Sequence, residues 1–547
     1  MSRQTIDGKI YSKMLEGGAA LLALHIQEIN DLNVFPVADG DTGTNMARTI
    51  NGGVSAAATT GDDRIGSVCG EFAKGVLLAA RGNSGVILSQ IFAGIADGLA
   101  QYETVGAREL AKAFEAGISR SYASVQNPTE GTILTVFRES SQYAAAHIDK
   151  SSTVDDFFRL HIEEGRRSLI RTKEILPVLA ESDVVDSGAA GYMYIAEGMY
   201  QTLQGKAPEM PYNYITPKES GEVDISKFTR DSVLEFGYCT EFLLRLTSAK
   251  CDPDNFDIST LISKLEALGG ESIVAYKQDD IVKVHVHTFA PGSVFSEAQA
   301  YGEFLTVKVE NMSLGHSEVP RKKKRTGKKF SVLAVATGEG LSALFTDMGA
   351  DRIIAGGQTA NPSIEEFIEA FDECDTEYII VLPNNKNVIL AARQAAELYE
   401  KAKVRIIETK SLMQGYSALS VITPGIKDID ALCKSAKLAA EGVVGIEVTR
   451  AVRDVSINGT EIKEGDYIAI TEGEINAVSE NAEDAAMDAL AACDTDLCEI
   501  ITVFTGKSVG EEQRISLTSR IETEYPDCEV TFYEGGQEVY DYMLALE

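Results

Sequence analysis

The spacing of the apolar residues changes near residue 206, and this change is the strongest constraint on the fold of the chain. Before it, apolar side chains recur at three-, four- and seven-residue steps, as in Tyr11, Leu15 and Leu22, without long runs of alternating β-branched residues. Such spacing places apolar side chains on one helix face. The proline-bearing stretch KAPEMPYNYITPKESGE from Lys206 is typical of a linker. Residues 1–205 are therefore expected to form an all-α domain.

Strand and helix patterns alternate after the linker. VLEFGYCTEFLLRL is strand-like, residues 255–267 are helical, two strands flank a QDD turn, and a helix near 293–301 precedes the strand FLTVKVE. The order βαββαβ predicts a ferredoxin-like α+β middle domain over residues 225–318. From Phe330 onward, apolar strands such as FSVLAVA and YIIVLP alternate with helical segments, followed by a hairpin near Asn458-Gly459 and a closing βαβ unit. This pattern predicts an α/β domain with a mostly parallel sheet over residues 330–547.

Composition excludes several classes of protein. A chain of 547 residues is too long for one hydrophobic core and is expected to form about three domains. With 50 basic and 83 acidic residues, the net charge of −33 argues against nucleic-acid binding. The sequence contains no uncharged apolar stretch of about 18 residues, so no transmembrane helix is predicted. Its first residues lack the apolar core of a signal peptide. The eight scattered cysteines include no CxxC pair, so reduced thiols and a cytoplasmic location are expected.

The most informative motif is NVFPVADGDTGTNMART, residues 33–49. Asp39 and Asp41 lie two residues apart on a backbone that can bend at its glycines, so both carboxylates can bind one Mg²⁺ ion. A helix is predicted to begin here, and its first amides would favour phosphate oxygens. The nucleotide-binding candidates in this loop are Thr42, Gly43, Thr44 and Asn45. A plain surface turn is the alternative interpretation of the same residues.

Three further glycine-bearing loops precede predicted helices and carry small polar side chains. Their candidate nucleotide-binding residues are Asn83, Ser84 and Gly85, then Gly131 and Thr132, and finally Asp186, Ser187 and Gly188. Several helix N-termini in one domain can enclose the phosphates of a nucleotide. Simple helix capping is the alternative for each loop taken alone. Arg81 either contacts the phosphates as a catalytic cation or forms a surface salt bridge.

Two weaker sites lie in the later domains. In KVHVHT, His285 and His287 share one strand face, and Cys239 lies on a strand that could be adjacent. This arrangement predicts a Zn²⁺ site or a catalytic site at these three residues. A purely structural role is the alternative. In the α/β domain, Asn361 to Ser363 could cap a helix or bind an anion.

Residues 33–45, 80–90, 128–135 and 184–191 resemble the nucleotide-binding subunit of dihydroxyacetone kinases, the DhaL fold. With its three-part layout, the chain resembles more closely the ATP-binding subunit of bacterial fatty acid kinases, the FakA family. The resemblance implies an eight-helix barrel that binds ATP and Mg²⁺, and a DegV-like α/β domain that docks a partner. Asp39 and Asp41 match the family's metal ligands. A third family ligand has no acidic match here, and Asn33 is the nearest residue.

This resemblance implies a kinase subunit of lipid metabolism and phospholipid synthesis. It would phosphorylate the carboxylate of a fatty acid that a separate DegV-type protein presents, which yields an acyl phosphate. Two alternatives stay open: a kinase of a small ketose or polyol with the same ATP site, and a non-catalytic scaffold that senses nucleotide. A homodimer is also compatible with the sequence.

Overall fold

The computed structural model describes most of the chain. The described residues are 3–33, 40–125, 127–206, 208, 238–253, 255–278, 280–311, 328–357, 360–423, 426, 428–452, 454–457, 460–493 and 498–547. Asp39, the Asn458-Gly459 turn and the side chains of Cys239, His285 and His287 lie outside this description. The chain divides into two compact units, of which one contains Met1–Tyr214 with Gly327–Glu547 and the other contains Ile215–Thr326.

The first part of the chain, called the helical domain, is built as the apolar spacing predicted. Its elements are β1 (Ile6–Asp7), α1 (Gly8–Leu24), α2 (Ile26–Asp31), α3 (Thr42–Ala58), α4 (Ile65–Leu78), α5 (Gly82–Leu99), β2 (Thr104–Val105), α6 (Ala107–Ala123), α7 (Ile133–His147), α8 (Val154–Ile175), α9 (Pro177–Glu181) and α10 (Ser187–Leu203). None of the helices in the described ranges combines the length and apolar character that a membrane crossing requires.

Eight of the ten described helices are long, with 14 to 22 residues, and these eight form a closed ring. Each long helix packs against the next one along the chain, and α10 returns to pack against α1. The predicted apolar positions Tyr11, Leu15, Leu22 and Leu88 are buried in the shared core. Burial of these faces against their neighbours, rather than helix propensity alone, stabilises such an arrangement. The predicted eight-helix barrel is therefore confirmed.

His161 of α8 lies fully buried inside this barrel. Its Nε2 atom is 2.7 Å from the hydroxyl of Tyr192 and 3.3 Å from Ser140 Oγ. The rings of Phe114 and Phe157 pack around the imidazole. Burial lowers the pKa of His161 to about 3, because a charged imidazole would lose its hydration there. The folded protein therefore keeps this histidine neutral at physiological pH.

The middle domain has the predicted order βαββαβ. Its elements are β3 (Tyr238–Leu246), α11 (Ile258–Ala267), β4 (Glu271–Gln278), β5 (Ile281–Thr288), α12 (Pro291–Ala298) and β6 (Gly302–Asn311). The strands form an antiparallel sheet in the order β4-β5-β3-β6. Val282, Val284 and Val286 alternate along β5 and are buried in one core with Leu261 and Leu265 of α11. This arrangement confirms the ferredoxin-like prediction.

The last part of the chain, called the α/β domain, begins with a parallel sheet. Its elements are β7 (Phe330–Ala336), α13 (Glu339–Asp347), β8 (Arg352–Ala355), α14 (Ile364–Asp372), β9 (Tyr378–Leu382), α15 (Ile389–Leu398), β10 (Lys403–Ile406), α16 (Leu412–Ser420) and α17 (Ile429–Gly442). The four strands are parallel in the order β10-β9-β7-β8. All seven residues of the central strand β7 are buried, which suits a strand covered on both faces.

A second sheet completes the α/β domain. The remaining elements are β11 (Val444–Arg450), β12 (Val455–Ile457), β13 (Thr460–Ile462), β14 (Tyr467–Thr471), β15 (Glu474–Ser479), α18 (Ala482–Ala492), β16 (Ile500–Thr505), α19 (Glu511–Glu524), β17 (Glu529–Glu534) and β18 (Tyr542–Leu546). The sheet order is β15-β14-β11-β18-β16-β17. β16 and β17, the predicted closing βαβ unit, form its one parallel pair among the described strands, and the other pairs are antiparallel. Glu472 and Gly473, both with positive φ, make a two-residue turn that permits only antiparallel pairing of β14 with β15.

Replacement of His161 by Gln should reduce the loss of stability on acidification. Between pH 6.5 and about 3 the unfolded chain protonates this imidazole and the folded chain does not, so acid favours unfolding. At pH 5 this effect amounts to about 2 kcal/mol. Denaturant unfolding at pH 7 and pH 5 should show that the wild type loses about 2 kcal/mol more than H161Q. Equal losses in both proteins would contradict the assignment.

Candidate nucleotide and metal site

The N-termini of four helices of the helical domain meet around the start of α10. Ser187 Oγ lies 3.4 Å from Thr42 Oγ1, which joins α10 to α3. A Cβ atom added to Gly188 would lie 3.0 Å from Ser84 Oγ, so α5 is also adjacent. The amide of Ile133, the first residue of α7, is close enough to lower the pKa of the Asp186 carboxyl, so α7 is adjacent too. Because helix N-termini present amides and positive dipole ends, their meeting favours bound anions.

Asp41 precedes α3 and is 6% exposed, yet its carboxylate does not cap that helix. The cap is provided by Asn30, whose Oδ1 accepts hydrogen bonds from the amides of Gly43 at 2.8 Å and Thr44 at 3.3 Å. Asn30 Nδ2 also donates to Thr44 Oγ1 at 3.1 Å. The first amides of α3 thus donate within the protein, and the Asp41 carboxylate can face other groups.

Gly43 is required where α2 and α3 approach each other. A Cβ atom at this position would lie 2.6 Å from the carbonyl oxygen of Ile26, which is closer than real Cβ contacts. Any larger residue would separate α3 from Asn30, its capping residue. The glycine that the sequence suggested as a phosphate-binding position therefore also has a packing role.

Asp41 contacts a residue of the α/β domain. Asn361 Nδ2 donates a hydrogen bond of 2.6 Å to Asp41 Oδ2, and both residues are buried. Gly82 begins α5 beside them with a φ of +60°. A Cβ atom on Gly82 would lie 2.9 Å from Asn45 Nδ2 and 3.6 Å from Asn361 Nδ2. A glycine is thus needed here for both its conformation and its size.

Arg81 connects the helical domain to the same loop of the α/β domain. Its Nη1 atom donates to Glu366 Oε2 at 3.0 Å and to the carbonyl oxygen of Asn361 at 3.1 Å. Arg81 thus forms an ion pair at a domain boundary, which agrees with the salt-bridge interpretation that the sequence left open. A direct contact between Arg81 and a phosphate stays a prediction.

Further contacts between the two domains surround these residues. Asn83 Nδ2 donates to Asn387 Oδ1 at 3.2 Å, and Gln90 Nε2 donates to Gln394 Oε1 at 3.1 Å. One apolar cluster joins the domains and contains Ala80, Val86, Ile364, Phe367, Val388, Ala391 and Ala395, all fully buried. The α/β domain therefore packs directly on the start of α5.

Asp186 occupies the same position before α10 as Asp41 does before α3, but it caps its helix. Its Oδ1 accepts a hydrogen bond of 2.7 Å from the amide of Ala189. Burial raises the pKa of Asp186 to about 6, although backbone hydrogen bonds from Ala189 and Ile133 act in the opposite direction. Asp186 is thus a structural cap with a perturbed pKa next to the helix N-termini.

Gly131 and Thr132 lie directly before α7. Gly131 has a φ of +82°, and its amide donates to Thr135 Oγ1 at 2.8 Å. Thr132 Oγ1 donates to the carbonyl oxygen of Thr129 at 2.8 Å. This loop therefore lies at the N-terminus that contacts Asp186.

The predicted set of Mg²⁺ ligands is described only in part. Asp41 is buried at the site, whereas Asp39 belongs to residues 34–39, outside the described residues. Asn33 lies two residues after the end of α2, and its amide donates to the carbonyl oxygen of Asn30 at 3.1 Å. Within the described ranges, no group of three or more His, Cys, Asp or Glu side chains could bind a metal. A role for Asn33 as third ligand stays a prediction.

The candidate zinc residues of the middle domain lie on adjacent antiparallel strands. The backbone of Cys239 pairs directly with His287, and Glu241 pairs with His285. This register agrees with the expectation that β3 and β5 are neighbours. Zinc binding itself stays a prediction, because the three side chains are outside the described part of the chain.

Sequence comparisons identify the family. Residues 36–201 match the DAK2 domain, residues 235–319 match the middle domain of FakA-like fatty acid kinase proteins, and residues 331–547 match their C-terminal domain. Protein YloV of Bacillus subtilis is 35% identical over 563 residues and covers 100% of both chains. An uncharacterized protein of Staphylococcus saprophyticus is 36% identical and covers 99% of each chain. The chain belongs to the FakA-like family of fatty acid kinase proteins. The resemblance seen in the motifs is confirmed, and the matched families indicate kinase activity.

A DegV family protein and a dihydroxyacetone kinase are two solved structures that match parts of this chain at low TM-score. The DegV protein from Thermus thermophilus, described as fatty acid binding, has a TM-score of 0.31 and 13% identity and covers 40% of this chain and 100% of its own. The dihydroxyacetone kinase from C. freundii, solved with AMP-PNP and Mg²⁺, has a TM-score of 0.29 and 15% identity and covers 36% of this chain and 34% of its own.

Sequence reasoning missed the roles of two asparagines: Asn30 caps α3 in place of Asp41, and Asn361 contacts Asp41. Asn30 lies 13 residues before Gly43 and belongs to another helix, so no local capping pattern indicates it. Asn361 lies 320 residues after Asp41. The sequence predicts a helix cap or an anion site in its loop; Ser363 does cap α14, and Asn361 contacts a carboxylate of the protein itself. The only sequence signal for Asn361 is that it is a polar residue near a predicted helix cap.

Replacement of Asn30 by Ala should lower the free energy of unfolding by about 1 kcal/mol, because two amides of α3 lose their acceptor. Gln27→Ala is the matched control, since it removes an exposed hydrogen bond to Asp31 from the same helix. The control should change stability by less than about 0.5 kcal/mol. Denaturant unfolding measures both, and equal effects would contradict the capping role of Asn30.

Proposed function

We propose that this chain is the ATP- and Mg²⁺-binding kinase subunit that phosphorylates the carboxylate of a fatty acid. A separate DegV-type protein would present the fatty acid, and the products would be an acyl phosphate and ADP. The observation that carries this proposal is the meeting of four helix N-termini beside the buried Asp41 in a member of the FakA-like family.

The helix N-termini would bind the phosphates of ATP. Each N-terminus carries about half a positive charge, so several of them together offset much of the triphosphate charge. Ser84, Gly85 and Ser187 lie in the first turns of α5 and α10, where hydroxyls and amides can donate to phosphate oxygens. The full proposed set of nucleotide-binding residues is Thr42, Gly43, Thr44, Asn45, Asn83, Ser84, Gly85, Gly131, Thr132, Asp186, Ser187 and Gly188. In the structure the amides of Gly43 and Thr44 already donate to Asn30, and Asp186 caps α10, so these three residues also have structural roles.

The described residues fit a divalent cation at Asp41. This carboxylate is buried, does not cap α3, and lies next to the amide of Asn361, whose Oδ1 has no hydrogen-bond partner among the described residues. Oxygen donors of this kind are those that Mg²⁺ prefers. Asp41 and Asp39 would hold the ion, which when bound neutralises charge between the triphosphate and an anionic acceptor.

A fatty acid carboxylate needs no general base. Taking a side-chain carboxyl as a guide, its pKa is about 4 to 5, so it is ionised at pH 7. Its oxygen would form the new bond to the γ-phosphorus while the bond to the bridging oxygen breaks and ADP leaves. The three histidines of the helical domain are engaged elsewhere: His25 with Glu28 and Tyr194, His147 at the end of α7, and His161 in the core.

The middle domain could contribute a zinc site. Cys239 lies opposite His287 in the β3–β5 register, and one thiolate with two imidazoles suits Zn²⁺ with an open position. Metal analysis of the purified chain should find about one zinc per chain. Zinc at trace level only would end this hypothesis and leave the two histidines a structural role.

ADP formation with defined acceptors tests the proposed reaction. We expect turnover with Mg²⁺ only when oleate loaded on a DegV-type carrier is present, and none in EDTA. Asp41→Ala should lower kcat by roughly 10³-fold, since a fixed charge-stabilising group at the transferred phosphate is lost. The unfolding curve of the variant confirms that it is folded.

Other outcomes would favour the alternatives. ADP formation with dihydroxyacetone and without a carrier would indicate a ketose kinase. ATP binding without turnover on any acceptor would indicate a nucleotide-sensing scaffold. A near-normal rate in Asp41→Ala would contradict the role of this carboxylate.

A further inference from the structure

Asn361 has one unpaired polar atom beside the proposed metal carboxylate. The residue is 2% exposed, and its Nδ2 donates to Asp41 Oδ2 at 2.6 Å. Its Oδ1 is buried and has no hydrogen-bond partner among the residues that the structure describes. Buried carbonyl oxygens are almost always paired in native proteins, so an unpaired one needs an explanation.

The chemistry of the contact determines which way the amide faces. A carboxylate accepts hydrogen bonds and would repel an amide oxygen, so Nδ2 must face Asp41. Nδ2 and Oδ1 belong to the same planar amide, so only the amide carbon separates Oδ1 from the nitrogen that contacts Asp41. An electron-rich oxygen beside a buried carboxylate is suited to a cation and unsuited to an anion.

Contacts on both sides determine the position of Asn361. Its carbonyl oxygen accepts from Arg81 Nη1 at 3.1 Å, and the amide of Ile364 donates to the carbonyl oxygen of Ala80 at 3.3 Å. Ser363 and Glu366 cap α14 reciprocally, at 2.6 Å and 3.2 Å. Arg81 also binds that same Glu366 carboxylate. The loop is therefore positioned by the helical domain as well as by its own helix.

We propose that Asn361 of the α/β domain is a further metal ligand of the kinase site, with Oδ1 binding the divalent cation that accompanies the nucleotide. This inference rests on the proposed function. A donor bond from Nδ2 orients Asp41, and Oδ1 adds a neutral oxygen ligand, so one side chain serves both purposes. Kinases of another fold use an asparagine amide for Mg²⁺ in the same chemical sense. The α/β domain thereby completes the site.

Binding of Mn²⁺ to the full-length chain with saturating ADP tests the proposal without measuring activity. Loss of the free Mn²⁺ signal in electron paramagnetic resonance, beyond the loss that the same ADP concentration causes without protein, reports the ion bound to the chain. Asn361→Ala should weaken Mn²⁺ binding by about 10-fold, as expected when one metal contact is removed. Asn361→Asp should stay within about threefold of the wild type, because the attraction of a second carboxylate for the cation offsets the lost donor bond to Asp41.

The Asp variant separates a ligand role from a purely structural one. If Asn361 were needed only to donate a hydrogen bond to Asp41, the Ala and Asp variants would weaken Mn²⁺ binding equally. Equal losses of Mn²⁺ affinity in the two variants would therefore overturn the proposal. Unchanged Mn²⁺ binding in Asn361→Ala would also overturn the proposal, because Oδ1 would then bind only water. Tighter Mn²⁺ binding would overturn it as well, because the Asn361 side chain would then weaken cation binding.

A matched control variant completes the experiment. Gln394→Ala removes the Gln90–Gln394 bond between the same domains without altering Asn361, and it should bind Mn²⁺ like the wild type. If Gln394→Ala weakened binding as much as Asn361→Ala, loosened domain packing would be the cause and the proposal would be wrong. If the wild type itself bound no Mn²⁺ with ADP, the proposed function would fail, whereas normal binding in Asn361→Ala would defeat this inference alone.

Discussion

A buried carboxylate with no capping role is the feature on which the candidate site depends. Asp41 lies at the start of α3, where an aspartate would normally accept hydrogen bonds from the first helical amides. Asn30 accepts them instead, through the close approach of α2 that Gly43 permits. The Asp41 carboxylate therefore makes no capping hydrogen bond to α3. Burial of such a charge is costly unless other groups compensate it, and the amide of Asn361 is one group that does so.

Comparison of Asp41 with Asp186 shows how tertiary contacts give one residue type two roles. Each aspartate directly precedes a helix of the same barrel. Asp186 caps α10 through Ala189 and has a raised pKa of about 6, because burial penalises its charged form more than the backbone hydrogen bonds favour it. Asp41 faces outward from its helix to the α/β domain. The sequence motifs DGDTG and VVDSG do not reveal this difference, since both fit a capping pattern.

Packing of the α/β domain on the helical domain extends the site beyond the barrel. The apolar cluster around Ala80, Val86 and Ile364 removes water from the boundary, while Arg81 joins the two domains through Glu366. Apolar burial of this kind supplies most of the association energy, and the polar contacts determine the register of the two surfaces. The loop that carries Asn361 thus contacts the candidate site from the α/β domain.

The sequence by itself determined the element types, the three-part division into all-α, α+β and α/β regions, and the loops that carry Asp41, Gly82 and Ser187. Hydrophobic periodicity and local turn chemistry act over a few residues, so they can be recognised without a structure. The tertiary structure alone decided that Asn30 caps α3, that Arg81 pairs with Glu366, and that Asn361 contacts Asp41. These contacts join residues from 13 to 320 positions apart. Only the packing of whole helices and domains brings such residues together, because no local energy term relates them.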